Sequence, residues 1–334
     1  MNILIAGGTG LLGSKAAEIM INHHHEVTSL AMPFEKGSLD LPSQMKTISC
    51  DFNLLTDQEL DTYMEGMDAF VFAAGVDERL EFARPVMKAY EKYNIVPMKR
   101  MLASAKRMHV KKAIVLGSYF SYFAKSWPHL ELDKKHPYIA SRLYQEEVAF
   151  SFVDTHFSVN VLELPYIFGP QRGRKPVWSI FIERFAKPKI IFFPKGGTSV
   201  MTTSQVGYAI YHAILYGKHQ MAYPLGYLNM TWRKLISVVL SAMNQKKPIV
   251  TIPNFMTQLA FKQMKKGYEK KGIEPGLNPL YFAKLMTSKT MIDPMLYQDL
   301  RIPDDDVYKA INQSISYAYE IYINRLKVTE MKAL

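Results

Sequence analysis

Thirteen residues at the start of the chain restrict its fold more than any other stretch. Met1-Asn-Ile-Leu-Ile-Ala-Gly-Gly-Thr-Gly-Leu-Leu-Gly13 sets a short apolar run, Ile3 to Ala6, directly against glycines at positions 7, 8, 10 and 13. An Ala-rich, helix-compatible stretch begins at Ser14. The run has the length of a buried parallel strand. Strand, glycine turn and helix in that order suit a dinucleotide. Gly7, Gly10 and Gly13 allow a tight turn, close approach of backbone to a pyrophosphate, and close packing of helix on strand. The phosphates then meet the exposed N–H groups and positive dipole end of the new helix. The residues expected to touch the cofactor here are Gly7, Gly8, Thr9, Gly10, Leu11, Leu12 and Gly13.

Further strand-like runs follow at Val27 to Ala31, Met45 to Ser49, Asp68 to Gly75, Lys111 to Ser118 and Ser158 to Leu164. Helical stretches separate them, among them Gln58 to Met64 and Val96 to Met108. Such alternation predicts an α/β fold with a Rossmann-like, doubly wound parallel sheet. The fourth run ends in Ala73, Ala74 and Gly75, whose small side chains leave room for a cofactor across the strand end. The end of the second run, where an acid favours NAD and a base favours NADP, carries Ala31 and Met32 followed by Pro33. Glu35 and Lys36 lie just beyond and serve either, so NAD and NADP both stay open.

The G-x-x-G-x-x-G spacing resembles the short-chain dehydrogenase/reductase superfamily, and Gly7-Gly-Thr-Gly-Leu-Leu-Gly13 is similar to its extended, epimerase/dehydratase-like branch. The resemblance implies a serine at the end of the fifth strand, a tyrosine some twenty residues later at a helix start, and a lysine four residues beyond. Ser118 and Tyr138 match; Arg142 stands where the lysine belongs. In such enzymes the serine and tyrosine hold a substrate oxygen, the tyrosine passes the proton, and the lysine binds the nicotinamide ribose and lowers the tyrosine pKa. An arginine keeps its charge and can still hydrogen-bond a ribose, but it does not readily release a proton. The resemblance further implies a cofactor contact from Met32 at the ribose end of the second strand, adenine contacts from Asp51 and Phe52, and backbone of Pro165, Tyr166 and Ile167 beside the nicotinamide. Asp51 has a rival role as cap of the following helix. For assembly it implies a homodimer through the helices flanking Tyr138.

Gly169-Pro170 marks the exit from the sheet, and Gln171-Arg-Gly-Arg-Lys-Pro176 is a basic loop in which Arg172 and Arg174 suit an anionic substrate. The expected division is a dinucleotide-binding domain over 1–168, with 196–217 packing back onto it, and a smaller, mostly helical substrate domain from 169–195 and 218–334. Thr198 to Gln205 are uncharged where many nucleotide-sugar epimerases carry an arginine and an acid. Three readings stay open: a hydride-transferring oxidoreductase acting on a small molecule, a lapsed dinucleotide-binding sensor, and a nucleotide-sugar epimerase or dehydratase.

Composition narrows the setting. No apolar stretch approaches the roughly 20 residues of a membrane span, and the first apolar run serves as a strand rather than a leader. A single cysteine, Cys50, allows no internal disulfide, which makes a cytoplasmic setting the expectation. The net charge of +11 is spread along the chain and suits phosphate-bearing ligands without calling for nucleic acid. Its one concentration, Lys262, Lys265, Lys266, Lys270 and Lys271, shares a stretch with Phe255, Leu259, Phe261 and Met264 and reads as a solvated helix face or a membrane-surface helix. His23, His24 and His25 are consecutive and do not converge on one ion in a regular helix or strand, so no metal is expected.

Overall fold

β1 (Asn2–Ala6) lies inside the protein because four of its five residues are apolar and fully buried, so both of its faces need cover. The computed structural model describes residues 1–35 and 37–330; Lys36, named above beside the cofactor, lies outside the described residues. Around β1 are β2 (Glu26–Ala31), β3 (Lys46–Ser49), β4 (Ala69–Phe72), β5 (Lys112–Ser118), β6 (Ser158–Leu164) and β7 (Met221–Pro224). They form one seven-stranded sheet in the order β3-β2-β1-β4-β5-β6-β7, with every pairing parallel. The strand order reverses between β1 and β4. At such a switch point the strand ends open a crevice for a ligand.

Alternate residues of each strand feed two cores. Ile3, Ile5, Val71, Ile114 and Leu162 pack with α1 (Leu11–Asn22) and a helix over Thr203–Tyr216. Leu4, Ala6, Phe70, Phe72, Val115 and Val161 pack with α2 (Asp57–Met64) and α3 (Val96–Arg107). α4 (Tyr119–Ser126) and α5 (Pro137–Phe150) follow β5, and the Thr203–Tyr216 helix, α6, lies against α1.

β7 departs from the expected division, which placed 218–334 wholly in the substrate unit. Met221–Pro224 pairs with β6 from Met221↔Asn160 to Pro224↔Glu163 and so completes the main sheet. Four residues are too few to show a period, and the terminal proline is tolerated because an edge strand has one unpaired side. The second unit holds short strands as well as helices. Gly197–Thr202 pairs with Leu228–Thr231, Tyr166–Phe168 and Lys289–Thr290, and Ile191–Pro194 pairs with Ile249–Ile252. Its core is aromatic: Phe168, Phe181, Phe185, Phe193 and Trp232 are buried together with Ile311 and Ile315.

Candidate active site

The glycine loop has the geometry its spacing predicts. Gly7 takes φ +85°, and a Cβ there would meet the Ala73 carbonyl oxygen at 2.9 Å, so the loop packs directly on the end of β4. A Cβ on Gly13 would collide with the Gly7 carbonyl oxygen and approach the Gly8 Cα to 2.8 Å. One on Gly10 would meet only the Gly7 oxygen, at 3.1 Å, which leaves room on the outer side for a ligand. Gly10 caps α1 without a side-chain hydrogen bond. The N–H groups of Leu11, Leu12 and Gly13, in the first turn of a twelve-residue helix, are therefore open to an anion.

The basic loop lies over this cradle. Gln171 is buried and donates through Nε2 to the Thr9 carbonyl and the Ser14 hydroxyl, both at 3.1 Å. Arg174 donates to the Thr9 carbonyl at 3.1 Å and to Gln171 Oε1 at 2.8 Å. Arg174 thus stands at the glycine loop, while Arg172 is exposed and its carbonyl accepts from Asp40 N–H. The strap is held from behind by the C-terminal segment: Thr329 N–H donates to Gly173 O at 2.8 Å, and Lys175 N–H to Thr329 O at 2.9 Å.

The further cofactor candidates are engaged to different degrees. Met32 packs on the second core at the end of β2. Phe52 is buried in that core, and Asp51 accepts from the backbone and side-chain N–H groups of Asn53 at 2.9 and 2.8 Å. Asp51 does not cap α2. Thr56 does, in a reciprocal pair with Glu59. Gly75 takes φ +126° because a Cβ there would lie 2.5 Å from Asn94 Oδ1. Asn94 itself was not anticipated. It sits in a π-helical turn (Glu91–Ile95) leading into α3, and it clamps Val76 from both sides, accepting its N–H at 2.7 Å and donating to its carbonyl at 2.9 Å. The only sequence signal was an amide between apolar residues within a helical run, and π-turns of this kind recur at functional positions.

Ser118, Tyr138 and Arg142 come to the carboxyl edge of β5 and the start of α5. All three are buried. Ser118 Oγ accepts from Phe120 N–H at 3.4 Å as the cap of α4. Pro137 opens α5, and the i, i+4 spacing puts the Arg142 guanidinium 5.0 Å over the Tyr138 ring. Arg142 donates to Gln145 Oε1 at 2.7 Å and to the Val76 carbonyl at 3.1 Å, and among the described residues its Nε finds no partner. The Tyr90 hydroxyl, Gln145 Nε2 and His136 Nε2 are likewise buried without partners among the described residues. Four unmet polar atoms about the Tyr138–Arg142 pair are what a site for a polar ligand presents.

Burial pushes the Tyr138 hydroxyl up to about 12; the Arg142 charge pulls against this, and the Glu78 carboxylate adds to it. Glu78, also unanticipated, is half-buried in the loop after β4, where loss of water and the neighbouring Asp77 push it up to about 7, against the pull of Arg79 and Arg142. His136, fully buried beside Tyr138, accepts from Asn278 N–H at 3.0 Å and is pushed down to about 4, mainly by burial. Tyr138 N–H donates to Gly276 O at 2.9 Å, so the segment after Gly272 roofs the site. On the opposite side Tyr166 stacks on Trp178 at 4.6 Å, and Ile167 O accepts from the Trp178 indole at 2.6 Å. Pro165 is buried at the end of β6.

Comparison with known proteins identifies the family and the fold. The profile of the NAD dependent epimerase/dehydratase family matches residues 3–202. No curated protein matches the sequence. Among solved structures, gox2253 superposes with a TM-score of 0.76 at 16% identity, covering 98% of this chain and 99% of that one. WbmH of Bordetella bronchiseptica, solved with NAD+, gives 0.66 at 14%, covering 95% and 97%. The UDP-glucose 4-epimerase of Thermotoga maritima, solved with UDP-glucose, gives 0.68 at 13%, covering 96% and 100%. At these identities the likeness speaks to fold.

Proposed function

Because the chain belongs to the NAD dependent epimerase/dehydratase family, we propose that it moves a hydride between NAD and a hydroxyl- or carbonyl-bearing carbon of a small substrate, with Tyr138 passing the proton. The carrying observation is the buried Tyr138–Arg142 pair with an unpaired Arg142 Nε, set at the same sheet edge as the open glycine loop. Bound nicotinamide supplies or takes up the hydride; everything else falls to the chain. The first turn of α1 and the Arg174 guanidinium hold the pyrophosphate, Arg142 Nε donates to the ribose, and Ser118 orients the substrate oxygen. Met32 and Pro33 bring no cation to the end of β2, which favours NAD over its 2′-phosphate.

With Tyr138 at about 12, the hydroxyl is protonated at neutral pH. It is then ready as the acid of a carbonyl reduction. The reverse direction needs the tyrosinate and draws on the Arg142 charge to form it.

A nucleotide-sugar substrate clamped through Thr198 to Gln205 is disfavoured. Thr198 hydrogen-bonds the Tyr119 hydroxyl at 2.8 Å, Ser199 contacts Asn229 at 2.5 Å, and Thr202 and Gln205 cap α6. Arg172 is exposed and, among the described residues, has no side-chain partner, which suits an anionic group on the substrate. The test is Tyr138→Phe. It should keep NAD affinity and lose at least about 100-fold in turnover; turnover within twofold of wild type would remove Tyr138 from the chemistry.

A further inference from the structure

The lysine-rich stretch takes no part in the site just described. It forms a seventeen-residue helix, α7 (Asn254–Lys270), with an unusual distribution of burial. Its inner side is narrow: Thr257 is buried and Phe261 packs on the aromatic core of the second unit. At 100° per residue Phe255, Leu259, Lys262, Lys266 and Lys270 fall together on the opposite side. Phe255 is 69% exposed and Leu259 67%. Met256 is exposed beside them. None of Lys262, Lys266, Lys270 and Lys271 is in an ion pair among the described residues; on this helix only Lys265 is, with Glu269.

The strand Ile249–Ile252 runs through Pro253 into α7 and extends this surface. Its Val250 pairs with Phe192, and both are exposed, Phe192 at 60%, while Ile191 and Phe193 on either side are buried. Ile190 is exposed on the same side as Phe192, and Lys187 and Lys189 are exposed next to it. Large apolar side chains therefore point outward from α7 and from the strand leading into it, along with ammonium groups that have no ion pair among the described residues.

We propose that this face seats on a bilayer surface carrying anionic headgroups, with α7 lying in the interface plane. The charges complement the headgroups, and Phe255, Met256, Leu259 and Phe192 enter the acyl boundary. A nucleic-acid site would use the lysines and would leave three outward aliphatic and aromatic side chains on one helix without a role. Each lysine adds about fivefold at such a surface, and each buried Phe or Leu about tenfold or more.

The experiment is co-sedimentation of the full chain with vesicles of phosphatidylcholine alone and of phosphatidylcholine with phosphatidylglycerol. Binding should require phosphatidylglycerol and weaken as salt rises. It should fall at least about 100-fold both in Phe255→Ser/Leu259→Ser and in Lys262→Glu/Lys266→Glu/Lys270→Glu. These positions are exposed, so the variants should keep the Tm of the parent, and Tyr138→Phe should bind as the parent does. Three results would overturn the proposal: no sedimentation with anionic vesicles, equal binding to neutral ones, or affinity unchanged by Phe255→Ser/Leu259→Ser. Tighter binding to a single-stranded RNA, lost with the lysines and indifferent to Phe255 and Leu259, would assign the face to nucleic acid instead.

Discussion

Arg142→Met asks whether a guanidinium can do electrostatically what a lysine does elsewhere. The guanidinium lies 5.0 Å over the Tyr138 ring, inside a site that excludes water. A unit charge at roughly 5–7 Å from the hydroxyl, at an effective dielectric of about 20, favours tyrosinate by about 2–3 kcal/mol, or about two pKa units. Methionine fills similar space without the charge and leaves the Tyr138 hydroxyl still harder to ionise. In the oxidative direction the rate below the pKa rises about tenfold per pH unit, so the same shift reads as a rate about 100-fold lower at any one pH. The reductive direction, which uses the protonated hydroxyl, should fall much less. The variant also leaves Gln145 Oε1 without its donor, while Val76 O keeps Asn94; a stability loss of about 1–3 kcal/mol follows. Arg142→Lys keeps the charge and reaches only one of the two acceptors, so its oxidative rate should stay within about tenfold of wild type. The assay is reduced-nicotinamide absorbance in both directions across pH, with thermal melts as the control for folding. An unchanged oxidative pH profile in Arg142→Met, in a folded protein that binds NAD, would refute the electrostatic role.

Two glycine substitutions should separate fold from cofactor. Gly10→Ala meets only one atom, at 3.1 Å, and should cost less than about 1 kcal/mol of stability while weakening NAD at least about tenfold; Gly13→Ala collides with the loop backbone and should lose both, by about 1–3 kcal/mol in denaturant melts. Stability should also depend on pH through His136. Its folded pKa, about 4, lies below the ordinary value of 6.5, so the unfolded chain binds the extra proton between them, and stability falls as pH drops from about 6.5 to 4, by at most about 1.4 kcal/mol per unit. The slope in that window should shrink in His136→Gln; an unchanged slope would remove His136 as its source.

The parts of the molecule that could be read in the sequence are those with local signals. The glycine spacing at 7, 10 and 13, the apolar runs of β1 to β6 and the Tyr138–Arg142 interval each depend on neighbours a few residues away. The rest depends on contacts between distant segments. Nothing near Gln171 or Arg174 announces that both lie on Thr9, more than 150 positions earlier, or that Thr329 ties that strap down. The roof over Tyr138 is similarly remote: Ile273–Glu274 pairs with Phe82–Ala83, and Glu274 accepts from Val86 N–H. Four residues ending in proline carry no period, so nothing local assigns β7 to the main sheet. The lysines of α7 were visible from the start, but the outward exposure of Phe255 and Leu259 is a matter of tertiary packing.

The central claim, that the glycine loop and its strap hold a nicotinamide dinucleotide, is tested most directly by thermal stability of the purified chain with NAD and NADP in parallel. At about 100 times its dissociation constant, NAD should add about 2.7 kcal/mol of stability, and NADP should add much less. No shift with either would contradict the cofactor assignment, and with it the roles given to Ser118, Tyr138 and Arg142.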